Sequence, residues 1–232
     1  MNPPDRLAEL AAQYALAPPA VAQLRAVIEM LARDEHAPSA VRDPQRSADV
    51  HIADSLSALA LPVVRGVRSI ADIGSGAGFP GVPLAVALPG TSVTLVESTE
   101  RKCEFLARMV DAAELANVQV ACARVEQWRG SCELVTARAL GELALICEYA
   151  APLLTLGGSL VAWKGAVADA ELLAGHRAAA ELGLEPGDAV RVSPYPGSAT
   201  HHLHVYEKTA ETPSRFPRRV GSARKQPLGR AR

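Results

Sequence analysis

The sequence lacks the features of several protein classes. It has no run of 18 apolar residues, which argues against a transmembrane helix. The opening stretch MNPPDRLAEL has no basic region followed by an apolar run, so we expect no secretory signal. No internal repeat is visible. With 49% of its 232 residues hydrophobic, the chain can bury one sizeable core, and we expect a single domain in the cytoplasm.

Cysteine is scarce, and its spacing argues against a disulfide framework or a zinc site. No two cysteines form a CxxC pair, and no histidine lies at metal-ligand spacing from any of them. We therefore expect a reduced protein that holds no metal. The four cysteines are Cys103, Cys122, Cys132 and Cys147.

Acidic residues are absent from the last part of the chain. Residues 214–232 hold seven of the 24 Lys and Arg residues and none of the 25 Asp and Glu residues. The rest of the chain is therefore acidic, although the formal net charge is only −1. A basic tail on an acidic body indicates a polyanionic partner that the tail reaches. A disordered, solubilising end is the alternative that charge alone leaves open.

Two periodicities divide the remaining sequence. In the first sixty residues apolar positions recur at helical spacing, as in Leu24, Val27, Ile28 and Leu31. From residue 67 onward, short apolar runs alternate with longer amphipathic segments, which is typical of a parallel, doubly wound α/β sheet. The predicted strands are 67–73, 92–97, 118–123, 133–137 and 159–163, with two more near 189–193 and 202–208. The predicted helices between them are 80–88, 99–115, 143–154 and 167–182.

These patterns predict three parts of the chain. Residues 1–62 form a helical extension packed on the core, residues 63–210 form the α/β core, and residues 211–232 form a basic, flexible tail. The tail has no periodicity that would predict a helix or a strand.

A glycine-rich stretch, Asp72-Ile-Gly-Ser-Gly-Ala-Gly-Phe-Pro-Gly81, follows the first strand and opens a helix. Glycines in such a turn permit positive φ and let a ligand lie against bare backbone. The GxGxxG contained in it would also suit a dinucleotide, so a nicotinamide-dependent oxidoreductase stays open. Asp72 favours S-adenosylmethionine, because a carboxylate there can meet the ligand's ammonium group but would repel a pyrophosphate. Glu97 ends the second strand and can accept hydrogen bonds from ribose hydroxyls.

Five segments together resemble one family, the bacterial small-subunit ribosomal RNA guanine-N7 methyltransferases, also called glucose-inhibited division protein B. They are DIGSGAGFPGVPLAV, VTLVESTERKCEFL, ARVEQW, VTARAL and GGSLVAWKG. Similarity extends upstream through VRDPQRSADVHIADSLSAL and downstream into RFPRRVGSARKQPLG. The resemblance implies a class I S-adenosylmethionine-dependent methyltransferase, with a Rossmann-like, mostly parallel seven-stranded sheet. It also implies a 16S ribosomal RNA or 30S subunit partner. We expect a monomer.

The resemblance assigns cofactor contacts to Gly74, Phe79, Val125, Glu126 and Arg138. The motif itself adds Asp72, Gly76, Gly78 and Glu97. No catalytic residue is assigned, and the candidates that would position substrate are His51, Arg124, Arg138 and Lys164. From the residues alone, Arg138 could instead pair with a nearby helix, Lys164 could be a surface cation, and His51 could be structural.

One segment departs from the family pattern. The family usually has Asn-Leu-Thr just before VRDP, where this chain has Ala37-Pro38-Ser39. Any substrate contact made by the Asn would be absent here.

The expected reaction needs no general base. Guanine N7 has an in-plane lone pair and no proton, so catalysis would depend on proximity and in-line orientation. In agreement, the end of the fourth strand carries Thr136-Ala-Arg138 and no Asn/Asp-Pro-Pro-aromatic tetrad. A non-catalytic ribosome-binding protein with a vestigial cofactor pocket is the remaining alternative.

Overall fold

The structure, a computed structural model, describes residues 3–229. Two helices open the chain, α1 (Pro3–Gln13) and α2 (Ala20–Arg33). The apolar face of α2 is buried, as its spacing predicts. It packs against the core together with Leu7 and Leu10 of α1. No helix within the described residues combines the length and the hydrophobicity that crossing a membrane requires.

A nearly continuous helical run follows the loop at residues 34–43. It begins with α3 (Pro44–Ser47), where the Asp43 side chain caps the helix by accepting a hydrogen bond from the backbone N–H of Arg46 at 2.8 Å. It then passes through a π-helical stretch (Ala48–Ala53), α4 (Asp54–Leu56) and a 3₁₀ turn (Ser57–Ala60). A second 3₁₀ turn (Pro62–Val64) leads to the sheet. Because the π-helical stretch carries His51 and α4 begins at Asp54, this run places both side chains at the edge of the sheet.

The core is one seven-stranded sheet with the order β3-β2-β1-β4-β5-β7-β6. The first five strands are parallel and β7 is antiparallel to both of its neighbours, so the predicted mostly parallel sheet is confirmed. The strands are β1 (Ser69–Ile73), β2 (Ser92–Glu97), β3 (Val118–Cys122), β4 (Cys132–Arg138), β5 (Leu154–Lys164), β6 (Leu184–Val192) and β7 (His201–Lys208).

Helices cover both faces of the sheet. The amino-terminal helices share one hydrophobic cluster with α5 (Gly81–Ala87) and α6 (Glu100–Ala112) on one face. On the other face lie α7 (Leu143–Ala150) and α8 (Asp169–Leu182), which ends at Gly183 in the left-handed conformation. The chain reverses its strand order between β1 and β4, which in open α/β sheets is where ligands bind.

Three element boundaries differ clearly from the sequence prediction. The predicted helix 143–154 ends at Ala150 and gives way to a 3₁₀ turn containing Pro152, which has no N–H to continue the helix. Strand β5 then starts at Leu154, five residues before the predicted start, and pairs with Cys132 across a register shift. Strand β6 starts at Leu184 because an edge strand tolerates the irregularity after Pro186.

The basic carboxyl-terminal segment packs on the body as far as the structure describes it. Phe216 and Ala223 are buried in the same cluster as α7 and α8, and a short helix, α9 (Ser222–Lys225), lies against α7. Sequence reasoning assigned this segment no contact with the body, because its anchors are single side chains without a repeating pattern. Arg230 and Arg232, two of its seven cations, lie outside the described residues.

Candidate functional site: two adjoining cavities

The loop between β1 and α5 brings bare backbone to the edge of the sheet. Gly74, Gly76 and Gly78 all have positive φ, as the motif predicts. The backbone N–H groups of Gly74 and Ser75 donate to the carbonyl of Val96, at 2.8 and 3.2 Å, which fixes the loop to the end of β2. A Cβ on Gly74 would lie 2.5 Å from Cδ1 of Leu140. The loop thus approaches the segment after β4 closely.

A cavity of about 300 Å³ opens beside this loop, at the carboxyl ends of β1 to β4. Five of the predicted site residues line it: Gly74, Glu97, Arg124, Val125 and Glu126. The other residues that line it are Val96, Ser98, Thr99, Lys102, Ala123, Ala139, Leu140, Tyr149 and Arg224.

Glu97 is held rigidly at the centre of this cavity wall. Its Oε1 accepts hydrogen bonds from the backbone N–H groups of Ser98 and Thr99 at 2.8 and 2.9 Å, and its Oε2 accepts from Gly76 at 3.1 Å. Burial raises the pKa of this carboxyl, but the backbone hydrogen bonds and the charge of Lys102 outweigh burial and lower it overall. Glu97 therefore presents a fixed carboxylate to the cavity, with lone pairs left to accept from ligand hydroxyls.

Asp72 lies beneath the glycine loop, and the residues that line the cavity do not include it. Its Oδ1 accepts a hydrogen bond from the Thr136 hydroxyl at 2.9 Å. Its buried Oδ2 has no hydrogen-bond partner among the described residues. Burial raises the pKa of this carboxyl to about 6, in spite of the Thr136 and Ser75 contacts that lower it. Asp72 therefore lies behind the cavity wall, in contact with Ser75 of the loop and with Thr136 of β4.

Arg138 and Phe79 lie away from this cavity, in a cluster around His51. The Arg138 guanidinium donates to Asp54 Oδ2 at 2.8 Å and to the Val50 carbonyl at 3.1 Å. It also lies over the Phe79 ring, 5.4 Å from the centroid, and Phe79 stacks on the His51 ring at 4.4 Å. The helix ion pair that sequence reasoning left open for Arg138 is therefore present.

His51 is a buried, neutral link in this cluster. Its Nδ1 lies 3.2 Å from Arg138 Nη2, which can only donate, so Nδ1 accepts and Nε2 carries the hydrogen. That Nε2 lies 2.9 Å from the Ser39 hydroxyl, which in turn donates to the Val41 carbonyl at 3.0 Å. Burial and the charge of Arg138 lower the pKa of His51 to about 4. Ser39 thus supplies a hydroxyl within the Ala37-Pro38-Ser39 segment that departs from the family pattern.

A second cavity of about 290 Å³ adjoins the first, and Ala139 lines both. Arg138 and Lys164 end β4 and β5 in its wall, beside Trp163. Lys164 Nζ lies 2.6 Å from Glu171 Oε1 and donates to the Gly141 carbonyl at 3.0 Å. Because Arg has five N–H donors and Lys has three, both cations keep donors beyond these contacts.

Several side chains around the two cavities were not among the sequence-predicted site residues, and four of them make or could make polar contacts of interest. Asp54 and His201 line the second cavity and are joined by a 2.7 Å contact between Asp54 Oδ1 and His201 Nδ1. Tyr149 and Arg224 line the first. For Asp54 the HIADS segment was a usable signal, and for Arg224 it was the RRVGSARK stretch. Tyr149 lies in α7 and His201 starts β7, and neither belongs to a sequence motif that would indicate a role in the site.

Glu126 is engaged by the carboxyl-terminal segment. Its Oε1 accepts from the Gly221 backbone N–H at 2.9 Å and from the Tyr149 hydroxyl at 3.2 Å. The sequence predicted a flexible tail that reaches a polyanionic partner, and the structure shows in addition that the segment contacts Glu126, one of the predicted cofactor residues. Among the described residues, no group of three or more His, Cys, Asp and Glu side chains could hold a metal ion.

Comparison with protein families gives one match that covers most of the chain. A profile of the family described as rRNA small subunit methyltransferase G matches residues 21–193. The protein of that name from Chloroflexus aggregans is 42% identical over 196 residues, which are 82% of this chain and 82% of that protein. Its counterpart from Rubrobacter xylanophilus is 38% identical over 81% of this chain and 75% of that protein.

Comparison with solved structures shows the same fold at low sequence identity. The apo form of the S-adenosylmethionine-dependent methyltransferase SibL is 15% identical with a TM-score of 0.56, over 88% of this chain and 73% of that one. Fibrillarin from Aeropyrum pernix, solved with natively bound S-adenosyl-L-methionine, is 19% identical with a TM-score of 0.50. That match covers 66% of this chain and 72% of fibrillarin.

Proposed function

The chain belongs to the rRNA small subunit methyltransferase G family, and from this we propose that it methylates N7 of one guanine in 16S ribosomal RNA. The methyl donor is S-adenosylmethionine. The observation that carries the proposal is the pair of adjoining cavities that meet at Ala139. One suits the cofactor, and the other suits the acceptor base.

The first cavity suits S-adenosylmethionine in the placement of its polar groups. Glu97 ends β2 and offers a fixed carboxylate for the two ribose hydroxyls. Val125 and Glu126 follow β3 and form the adenine end, and Gly74 lets the methionine portion lie against backbone without a side chain in between. We assign Gly76, Gly78 and Asp72 to shaping this loop.

The second cavity suits a guanine that presents its N7 and O6 edge. Both atoms are acceptors, and cationic donors are the usual partners of that edge. Arg138 and Lys164 can hold O6 or an adjacent phosphate, which leaves the N7 lone pair directed at the methyl group. The Phe79 ring, which packs against the Arg138 guanidinium, and His51, which accepts its hydrogen bond, fix the position of Arg138. Arg124 stands at the first cavity, where it is placed to meet an RNA phosphate.

The proposed chemistry needs positioning and no proton removal. Bound S-adenosylmethionine supplies a methyl group on a positively charged sulfur. The guanine N7 lone pair forms the new N–C bond as the S–CH₃ bond breaks, and the electron pair of that bond stays on the neutral sulfur. Positive charge thereby passes to the base, where the Asp54 carboxylate in the same wall opposes the charge of Arg138. No residue has to act as a base, in keeping with the neutral, hydrogen-bonded state of His51.

Methyl transfer to 30S subunits that lack the modification tests the proposal. Labelled S-adenosylmethionine should transfer one methyl group per subunit, and digestion to nucleosides should give N7-methylguanosine by mass spectrometry. N1-, N2- or carbon-methylated nucleosides in its place would overturn the N7 assignment. Cofactor binding without any turnover would instead support a ribosome-binding protein that has lost catalysis.

The proposal extends to the assembly and the compartment. We propose that the enzyme acts as a monomer on the small subunit. We also propose that it acts in the cytoplasm, because that is where a ribosomal substrate would be met. Sedimentation of the purified protein at micromolar concentration should give the mass of one 24.4 kDa chain.

A further inference from the structure

We propose that the carboxyl-terminal segment, residues 216–228, is part of the cofactor site. Arg224 contacts the adenosine portion of bound S-adenosylmethionine, and an ion pair between Arg218 and Glu148 holds Arg224 in place. This inference rests on the proposed cofactor cavity. We call residues 216–228 the carboxyl-terminal strap.

The strap is anchored to α7 by a bidentate ion pair. Arg218 Nε and Nη2 donate to the two carboxylate oxygens of Glu148 at 2.6 and 2.5 Å. The Glu148 side chain is only 2% exposed, so this pair is largely shielded from solvent. Arg218 Nη2 also donates to the Gln226 carbonyl at 2.9 Å, which ties the two ends of the strap together. Losing Arg218 would therefore release the strap and leave a buried carboxylate unpaired.

From this anchor the strap turns into the cavity wall. Gly221 adopts φ +79° and its N–H donates to Glu126 Oε1 at 2.9 Å, so the turn is fixed to a residue that lines the cavity. Helix α9 starts at the next residue and brings Arg224 to the cavity, where Nη2 lies 3.5 Å from the Leu140 carbonyl. Arg224 itself is exposed at the cavity mouth. A ligand in the cavity would cover its guanidinium.

The position of Arg224 indicates the nucleoside end of the cofactor. The neighbouring strap residue Gly221 bonds Glu126, which follows β3 and belongs to the proposed adenine end of the cavity. A planar guanidinium stacks on aromatic rings and donates to acceptor nitrogens and oxygens, so it can engage an adenine face or edge. The ligand-facing role therefore falls to Arg224, and the role of Arg218 is to position it.

The binding of two ligands separates the possible contacts of Arg224. S-adenosylhomocysteine contains adenosine and the amino-acid portion, whereas 5′-methylthioadenosine contains adenosine without the amino acid. By calorimetry, Arg224→Gln should weaken both ligands by about tenfold, the equivalent of one charge-assisted hydrogen bond. Arg218→Gln should weaken both to a similar extent, although Arg218 does not line the cavity.

A matched control lies outside the strap, on α2. Arg33→Gln removes the same charge from an exposed side chain that pairs with Glu29 on the surface, and it should leave both affinities within about twofold of the wild type. Should Arg218→Gln fail to fold, Arg218→Lys keeps the charge and loses the fork, and it should show the same weakening in a folded protein.

Each outcome bears on a stated part of the inference. Unchanged affinity of Arg224→Gln for both ligands would overturn the assignment of Arg224. Weakening of S-adenosylhomocysteine alone would overturn the adenosine contact in favour of the amino-acid portion. Wild-type affinity in a folded Arg218 variant would overturn the positioning role. If the wild-type protein bound neither ligand, the proposed function itself would fail, which none of the variant results would imply.

Discussion

Asp72 and Glu97 end adjacent parallel strands, yet their carboxyl groups have opposite pKa shifts. Both are buried, and burial alone raises a carboxyl pKa. Glu97 receives three backbone N–H hydrogen bonds, which overcome burial and lower its pKa. Asp72 is the more deeply buried of the two, and burial outweighs the contacts from Thr136 and Ser75 that lower its pKa, so the pKa rises to about 6. The balance between burial and hydrogen bonding therefore decides whether the pKa of each carboxyl is raised or lowered.

The raised pKa of Asp72 predicts a pH-dependent cost to stability. Unfolding returns the carboxyl from a pKa of about 6 to 3.8, so the folded state loses stability as the pH rises through 6. The quantity of interest is the unfolding free energy of Asp72→Asn minus that of the wild type. This difference should be about 1.4 kcal/mol larger at pH 8 than at pH 5, whatever pH-independent effect the substitution has. Urea unfolding of the ligand-free protein at the two pH values measures this difference.

Glu97→Gln is the control for that measurement. The pKa of Glu97 is already below its ordinary value, so the group is ionised in both states above pH 5 and its removal should add little pH dependence from 5 to 8. A flat difference between Asp72→Asn and wild type would show that Asp72 does not titrate in this range.

At the scale of elements, glycines in the β1–α5 loop serve two purposes, which are a positive φ and a close approach to a neighbouring side chain. Gly74 and Gly76 both need positive φ, so alanine strains the backbone at either position by about 1 kcal/mol. Of these two glycines, only Gly74 would bring a Cβ against a side chain, that of Leu140, which lines the first cavity. At Gly76 the nearest atom is 3.8 Å away.

This difference predicts that the two alanine variants will separate stability from ligand binding. Gly74→Ala and Gly76→Ala should lose similar unfolding free energy. Gly74→Ala should also weaken S-adenosylhomocysteine by about tenfold or more, since Leu140 must move within the cavity wall. Calorimetry on both variants tests this, and equal affinities would show that the close approach of Gly74 to Leu140 has no role in the site.

At the scale of the whole molecule, the cations of the carboxyl-terminal segment fall into two groups, those that contact the body and those that are exposed. Arg218 pairs with Glu148 of the body, and Arg224 lines the first cavity. Arg219 and Lys225 are exposed. Since the body is acidic overall, these exposed cations are the part of the segment suited to phosphates.

This division predicts a salt effect confined to RNA binding. Log affinity falls as log salt rises, by roughly 0.7 per phosphate contact on single-stranded RNA. The double variant Arg219→Gln, Lys225→Gln should therefore reduce the magnitude of this slope by about 1.4 on single-stranded 16S fragments. Its affinity for S-adenosylhomocysteine should stay at the wild-type value. Filter binding over a salt series measures the slope, and an unchanged slope would exclude both cations from the RNA contact.

The sequence by itself determined the sheet, the glycine loop and the family. Strand periodicity, the glycine spacing and the position of Glu97 are local signals, because each depends on residues that are neighbours along the chain. The same reasoning located β5 and β6 only in part. The early start of β5 at Leu154 depends on pairing with Cys132, and that of β6 on its place at the sheet edge.

Only the tertiary structure decided which of the site residues line the first cavity, which line the second, and which lie behind them. In the folded chain Arg138 pairs with Asp54 and lines the second cavity, and Asp72 is buried beneath the glycine loop. Arg224 and Glu126 line the first cavity together, although they lie 98 positions apart in the sequence. Such contacts join residues far apart in sequence through one or two hydrogen bonds each. No periodicity records them, because their free energy depends on burial and geometry that exist only after the chain has folded.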